Sequence, residues 1–547
     1  MKPQTSSLQA LKKSYDAVVI GGGHNGLVAA CYLRKAGLSV AVLERRHVVG
    51  GAAVTEEIVP GFKFSRASYL LSLLRPVVYN DLELKRHGLK LHFRDPHSFT
   101  PLRGSNKSLL LGGSHEENFK QIAQFSRKDA AKYVDYDKLL FRMVDAIDPL
   151  FDVAPPSLAR SGAIRLEELR SWQPVLQTLM GLRGIFSETY QLLTAPIAKV
   201  LDNWFESEPL KASLATDGLI GSTLGPHDGG TGYVLLHHVM GCLEGRKGAW
   251  AYVEGGMGAV SETLAKALRE LGGEIFTESE VEKVTITNGK ANGVQLKSGQ
   301  AIQSKLVLSN ATVRETLLNF VPAQTLDSSL LTQVKNIDYK SPVVKINVAL
   351  SRIPNFAKTG DGTVQPHHRT SVHLNCETME VLDAGHRDFV AGRVSTFPMI
   401  EMVIPSSLDK TLAPAGGHVA LLFIQYAPYA VTVNWSQQQR NDFAQKVFKQ
   451  IDDYAPGFSA SVVGYEVLTP DVLEKTFGLT GGNIFHGGLS WDQLFFARPL
   501  SNMTGYRTPV DGLYMCGSGC HPGGGVTGAP GRLGAAAAIK DLKSGRL

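Results

Sequence analysis

The chain has 547 residues, too many for one compact core and enough for two or three domains. Hydrophobic residues make up 43% and charged residues 19%, which excludes a disordered chain, and a net charge of +6 among interspersed acids leaves no phosphate-tracking stripe for a nucleic-acid partner. Five cysteines, Cys31, Cys242, Cys376, Cys516 and Cys520, form no C-x-x-C and no disulfide framework, so a reducing compartment is expected. Neither they nor the His237-His238 and His367-His368 doublets stand at metal-ligand spacing, and no metal is expected.

Residues 1–14, MKPQTSSLQALKKS, contain lysines, serines and a threonine but no acid. A short mitochondrial presequence and an unstructured tail fit that composition equally. Residues 17–20 then form a short apolar strand, Gly21, Gly23 and Gly26 make G-x-G-x-x-G, residues 27–35 have helical spacing, and 39–43 form a second strand ending in Glu44. This is a βαβ unit with a dinucleotide pocket built from Gly21, Gly22, Gly23, His24, Asn25 and Gly26. Gly21 allows the tight turn, Gly23 lets the backbone approach a pyrophosphate at the helix N-terminus, and Gly26 lets helix and strand pack closely. Glu44, 18 positions after Gly26, can accept from a ribose and disfavours a 2′-phosphate.

The continuation Arg45-Arg46-His47-Val48-Val49-Gly50-Gly51-Ala52 resembles the R-x-x-x-G-G extension of flavoproteins of the amine oxidase and phytoene desaturase superfamily. The resemblance implies FAD, with Arg45, Gly50, Gly51 and Ala52 at its pyrophosphate. Residues 60–68 read as a strand leading into a turn that, in such flavoproteins, passes beside the isoalloxazine; Arg66 either faces the flavin or is a structural arginine. From 116 to about 245 the apolar spacing is helical, punctuated by Pro155-Pro156 and by residues 225–232, as expected of an insertion covering the active site.

A helix is expected at 258–271 and strands at 274–276, 281–286, 291–296 and 305–308, with Asn288-Gly289 turning a hairpin. This is how the superfamily completes its FAD domain, which implies Val281 near the adenine. Long apolar strands at 343–350, 399–404 and 418–426 suggest an antiparallel sheet flooring a hydrophobic cavity, with a helix at 437–454 packed on it and no paired charge supplied by the strands. Residues 511–528 return as strand and glycine loop before a helix at 528–543. Gly517, Ser518, Pro522, Gly523, Gly524, Gly525 and Val526 can place backbone N–H groups against the flavin pyrimidine edge, where charge develops on reduction.

The runs ERRHVVGGAAVTEEIVPGFKFSRASYLLSLLRP, LLTAPIAKVLDNWFESEPLKASLATD, GYVLLHHVMG, GGNIFH and CGSGCHPGGGV extend the likeness over nearly the whole chain. It resembles the carotenoid/retinoid oxidoreductase family that includes the phytoene desaturases. The fold class is then α/β, a Rossmann-like, amine oxidase-like FAD-binding domain (14–80, 246–335, 491–547) with a discontinuous substrate domain made of a helical insertion (81–245) and an antiparallel sheet (336–490). The resemblance implies an FAD-dependent oxidoreductase that desaturates, dehydrogenates or isomerises a hydrophobic small molecule. It also implies a mitochondrial association, in the matrix, with the cytoplasm as alternative, and leaves room for peripheral membrane contact and a protein partner. No run of 18 apolar residues exists to span a membrane.

Three departures from flavoprotein patterns matter. Gly517-Ser518 stands where many have Gly-Asp, so a ribityl contact is weakened or replaced. Only one complete G-x-G-x-x-G is present, which favours oxygen or a quinone over a bound pyridine nucleotide as electron acceptor. Cys516 and Cys520 lack dithiol spacing. His521 and Arg66 are the catalytic candidates. The rival reading is a non-enzymatic binder resembling the prenyl-protein escort and dissociation-inhibitor proteins.

Overall fold

The computed structural model describes residues 11–156, 170–356 and 362–546, so most of the acid-free leader lies outside the described residues. Two seven-stranded sheets organise them. In the first, Val40–Leu43 and Ala301–Ser309 flank Ser14–Ile20 in parallel, and Glu274–Phe276 adds to the outer edge of Val40–Leu43. The long strand Ala301–Ser309 serves two further neighbours on its other edge. Its first residues pair antiparallel with Lys290–Leu296 and its last residues pair parallel with Leu513–Met515. Asn288 and Gly289 both have positive φ, which gives the Val281–Thr287 and Lys290–Leu296 hairpin its tight turn.

Helix His24–Lys35 packs on helices Gly258–Glu270 and Ala529–Lys543, so three distant stretches of sequence share one layer. Their closeness depends on missing side chains. A Cβ on Gly531 would lie 2.2 Å from the Asn25 carbonyl oxygen, and one on Gly26 2.1 Å from that of Gly21.

The second sheet runs Val462–Leu468, Val343–Leu350, His418–Gln425, Met399–Val403, Ser371–Leu374, Ser98–Pro101 and Ser108–Leu111. Its last two strands correct the sequence reading, because they belong to the stretch assigned to the helical insertion. Four-residue strands with a turn between them carry too little periodicity to be told from loop. Helices follow, with His115–Ala123, Arg127–Ile147, Glu208–Leu219 and Thr231–Val239 among them.

Strand alternation gives the second sheet two unlike faces. Val344, Ile346, Val348 and Leu350, with Ile400, Met402, Leu422 and Ile424, share a core with Phe443, Val447, Phe448 and Ile451 of helix Gln437–Asp452. The intervening positions hold Lys345, Asn347, Ser371, His373, Glu401, Phe423 and Gln425. All are buried, and this second face is turned away from the helix. Among the described residues no helix is long and apolar enough to cross a membrane.

Candidate functional site

The glycine-rich turn after Ser14–Ile20 is laced to the loop that follows Glu44. Gly50 N–H donates to the Gly22 carbonyl at 2.9 Å, and Gly23 bridges Gly50 in parallel fashion. Gly22 N–H and Arg46 N–H donate to the Glu44 carboxylate at 2.8 and 2.9 Å, which orients that acid at the strand end. Gly23 is the N-cap of helix His24–Lys35 and supplies no capping side chain, leaving first-turn N–H groups without a side-chain acceptor, the arrangement in which a helix N-terminus can take an anion. Gly51, whose φ is +55°, lies over Gly23 with only 3.4 Å between a built Cβ and the Gly23 Cα. A cradle lined by Gly22, Gly23, Gly50, Gly51 and Ala52 therefore presents backbone where side chains would close it.

The C-terminal loop meets this cradle. Asn25 donates through Nδ2 to Ser518 Oγ at 2.9 Å, so the residue that replaces the flavoprotein acid is tied to the first helix. Arg498, fully buried, holds the loop from behind by donating to the carbonyls of Ser518, Cys520, Gly488, Gln493 and Phe485. Gly517 approaches the Asn310 carbonyl, Gly523 packs on Arg498, and Gly524 approaches the Ile484 carbonyl at 2.7 Å from a built Cβ. Pro522 is buried in the same loop. Val526 has φ +58°, a region that β-branched residues avoid, so the loop holds a strained backbone where it faces the cavity.

A cavity of about 740 Å³ runs from these loops into the space between the insertion and the second sheet. His24, Ala52, Ser518, Gly525 and Val526 line its nucleotide end. His237 and His486 stand beside them, and Arg94, His97, His373 and Glu401 line the other end. His24 Nε2 and His486 Nδ1 have no hydrogen-bond partner among the described residues, and both rings are pushed down by burial, His24 to about 4 and His486 to about 3. Burial likewise lowers His237 to about 3, so neutral imidazoles surround this end of the cavity. Orphaned polar atoms beside a glycine cradle fit a bound polar cofactor, which could satisfy them.

Other sequence-picked residues lie elsewhere. Arg45 donates to the Lys475 carbonyl on the surface. Val281 starts its strand next to Ser279, whose N–H donates to the Glu44 carbonyl, which puts it near Glu44. Neither catalytic candidate lines the cavity. Arg66 is clamped between Glu56, at 2.8 Å, and Glu466, while His521 Nε2 meets the Leu150 carbonyl at 2.8 Å with Phe151 and Phe495 edge-on. Burial lowers His521 to about 4. The Arg66 guanidinium is spent on its two acids and His521 Nε2 on a backbone carbonyl. Cys516 and Cys520 are free and buried, and burial raises both thiols, Cys520 to about 12.

The strands turn out to be less uniformly apolar than their runs suggest. His373 and Glu401 are cross-strand partners facing the cavity, their Nε2 and Oε2 3.5 Å apart, and Tyr69 donates to Glu401 at 2.8 Å. Lys345 was also missed. Its ammonium donates to the Ser65 and Arg66 carbonyls at 2.8 Å each and to Asn347, and burial lowers it to about 7. That lysine fixes the segment leading into Ala67, Ser68 and Tyr69 of the cavity wall. The signal in sequence was a polar residue at alternate positions of apolar runs: VVKIN, SVHL and MIEMV.

Residues 19–82 match the model of the NAD(P)-binding Rossmann-like domain. The chain is 53% identical to the Rattus norvegicus pyridine nucleotide-disulfide oxidoreductase domain-containing protein 2, over 99% of this chain and 96% of the relative. It is 23% identical to the lycopene-forming phytoene desaturase of Pseudescherichia vulneris, over 96% and 99%. Its fold is similar to that of wild-type putrescine oxidase bound to putrescine, with a TM-score of 0.58 at 17% identity over 97% and 99% of the two chains. The Rossmann-like nucleotide cradle, the mixed α/β sheets and the similarity along the whole length converge: the chain belongs to the family of pyridine nucleotide-disulfide oxidoreductase domain-containing protein 2, whose distant relatives are phytoene desaturase-like.

Proposed function

We propose that the protein is an FAD-dependent oxidoreductase acting on a largely hydrophobic substrate. The observation that carries this reading is the single cavity shared by His24, Ala52, Ser518 and Val526 of the nucleotide loops and by the walls of the second sheet and the helical insertion. Gly22, Gly23, Gly50, Gly51 and the first turn of His24–Lys35 would hold the pyrophosphate, Glu44 the ribose, and the loop from Gly517 to Val526 the flavin. When bound, FAD supplies hydride acceptance at the flavin ring. The protein's part is placement and exclusion of water. Leu70, Leu73, Leu140, Ile220, Leu235 and Phe423 give the cavity apolar walls, and the buried loops shield its nucleotide end. The phytoene desaturase relative carries a product name, lycopene, that is itself a hydrocarbon, which supports a hydrophobic ligand.

The test is the absorption spectrum of the purified protein, followed by anaerobic titration with hydrophobic alkenes. A flavin band that bleaches on addition supports the reading. A colourless, folded protein that takes up no FAD overturns it in favour of a non-enzymatic binder. The reading extends to the mitochondrial matrix, supported by the lysines and hydroxyl residues without acids in 1–14, and subcellular fractionation with protease protection tests that part.

A further inference from the structure

Arg94 sits at the end of the cavity away from the glycine loops, only 9% exposed. Its Nη1 donates to Ser371 Oγ at 3.1 Å, and the guanidinium lies over the Tyr252 ring at 5.5 Å. Its Nε has no hydrogen-bond partner, and among the described residues no carboxylate forms an ion pair with it. A buried guanidinium without an acid is costly, because the group stays charged and the cavity wall replaces its water. Two acids stand nearby and feel its field, but neither forms an ion pair with it. Glu401 is engaged by Tyr69 and His373. Asp217 lines the cavity, its carboxyl raised by desolvation while His238, His373 and Arg94 pull it back.

We propose that Arg94, with Ser371 beside it, anchors a carboxylate at one end of the substrate, so that the ligand class is a long-chain or isoprenoid carboxylic acid rather than a pure hydrocarbon. This rests on reading the cavity as the substrate site. A carboxylate would accept from the Arg94 guanidinium and from the Ser371 hydroxyl beside it, while the chain lies along the apolar walls toward Val526 and His237. The fork of the guanidinium matches a carboxylate, and a charge-assisted bond formed away from water is stronger than a neutral one. An ammonium head is disfavoured because the unpaired group is a cation. A hydrocarbon end would leave the Arg94 Nε unsatisfied.

The experiment is calorimetric titration of the purified, FAD-supplemented protein with dodecanoate and with methyl dodecanoate, both below their micelle concentrations. The acid is expected to bind about tenfold tighter or more than the ester, the range for a hydrogen bond to a charged group. Arg94→Gln should remove that preference while leaving the ester's Kd unchanged, which also shows that the variant is folded. Arg94→Lys should restore part of the preference, and Glu401→Gln should tighten the acid by removing a like charge. Equal binding of acid and ester by the wild type, or an acid preference that survives Arg94→Gln, overturns the anchor and leaves the hydrophobic site standing. Failure of both ligands to bind overturns the anchor together with the hydrophobic-substrate reading.

Discussion

His373 and Glu401 face each other from directly paired positions of adjacent antiparallel strands, both buried and both turned into the cavity. Burial pushes the Glu401 carboxyl up, but His373, Tyr69 and the field of Arg94 pull it further the other way, and its pKa ends below the usual carboxylate value. A group depressed on folding stabilises the native state above its unfolded pKa and loses that contribution as pH falls through the folded value. Denaturant unfolding of the wild type should therefore show stability declining below the ordinary carboxylate range, and Glu401→Gln should flatten part of that decline. Glu401→Ala should cost about 3 kcal/mol, as expected when a buried pair loses one member.

Arg66 is expected to matter for stability and not for chemistry. Its two acids are mostly buried, and although Glu56 keeps Arg46 at 2.7 Å, Arg66→Met would leave Glu466 without its guanidinium partner and should cost about 3 kcal/mol in unfolding free energy. Flavin content and the position of the visible band should stay those of the wild type. A shifted band in a fully loaded Arg66→Met protein would return this residue to the flavin.

Gly23→Val tests the cradle. The new Cβ would come within 2.8 Å of Asn310 Nδ2, a side-chain end that can move, and the remaining methyl groups would project toward the proposed pyrophosphate position. The variant should unfold with a loss of about 1–3 kcal/mol, typical of overpacking, yet purify without FAD. Stoichiometric FAD in a folded Gly23→Val protein would contradict the assignment.

Thiol chemistry gives an independent check. Cys242 is partly exposed, whereas Cys31, Cys376, Cys516 and Cys520 are buried and burial raises all four thiols. Iodoacetamide at neutral pH should label Cys242 first and the others only on unfolding, since the thiolate is the nucleophile. Replacing Cys516 and Cys520 with serine should leave flavin reduction within a few fold. Loss of turnover, with a disulfide between them in oxidised wild type, would show a redox pair.

Chain length should set affinity. Each buried methylene contributes about 0.8 kcal/mol, so Kd along a homologous series of alkyl carboxylates should fall roughly fourfold per carbon until the cavity is filled. A flat series would remove the apolar walls from the binding account.

The nucleotide unit was legible because its signals are local. Gly21, Gly23 and Gly26 are read from three positions, and strand, helix and Glu44 follow within one turn of the fold. The strands 343–350, 399–403 and 418–425 were legible for the same reason, as runs of apolar residues. Lys345, His373 and Glu401 were passed over because each is a single polar residue in such a run, and its meaning depends on which face the strand presents. Arg94 and Arg498 could not be read at all. Arg94 acquires its role from Ser371, far along the chain, and Arg498 from irregular loop carbonyls at 485–493 and 518–520 that only the fold gathers around one guanidinium, and no local pattern records either meeting. The short strands 98–101 and 108–111 were missed because they exist only through pairing with each other and with Ser371–Leu374.

The bond from Asn25 to Ser518 spans 493 positions, and the first helix rests on one beginning at Ala529. During synthesis the glycine turn is made nearly five hundred residues before the loop it must meet. Until then Asn25 Nδ2 lacks its acceptor and the narrow Gly531 seam is open. A growing chain that has not yet reached Ser518 therefore carries half a pocket, and its two halves can meet only after 493 further residues have been added.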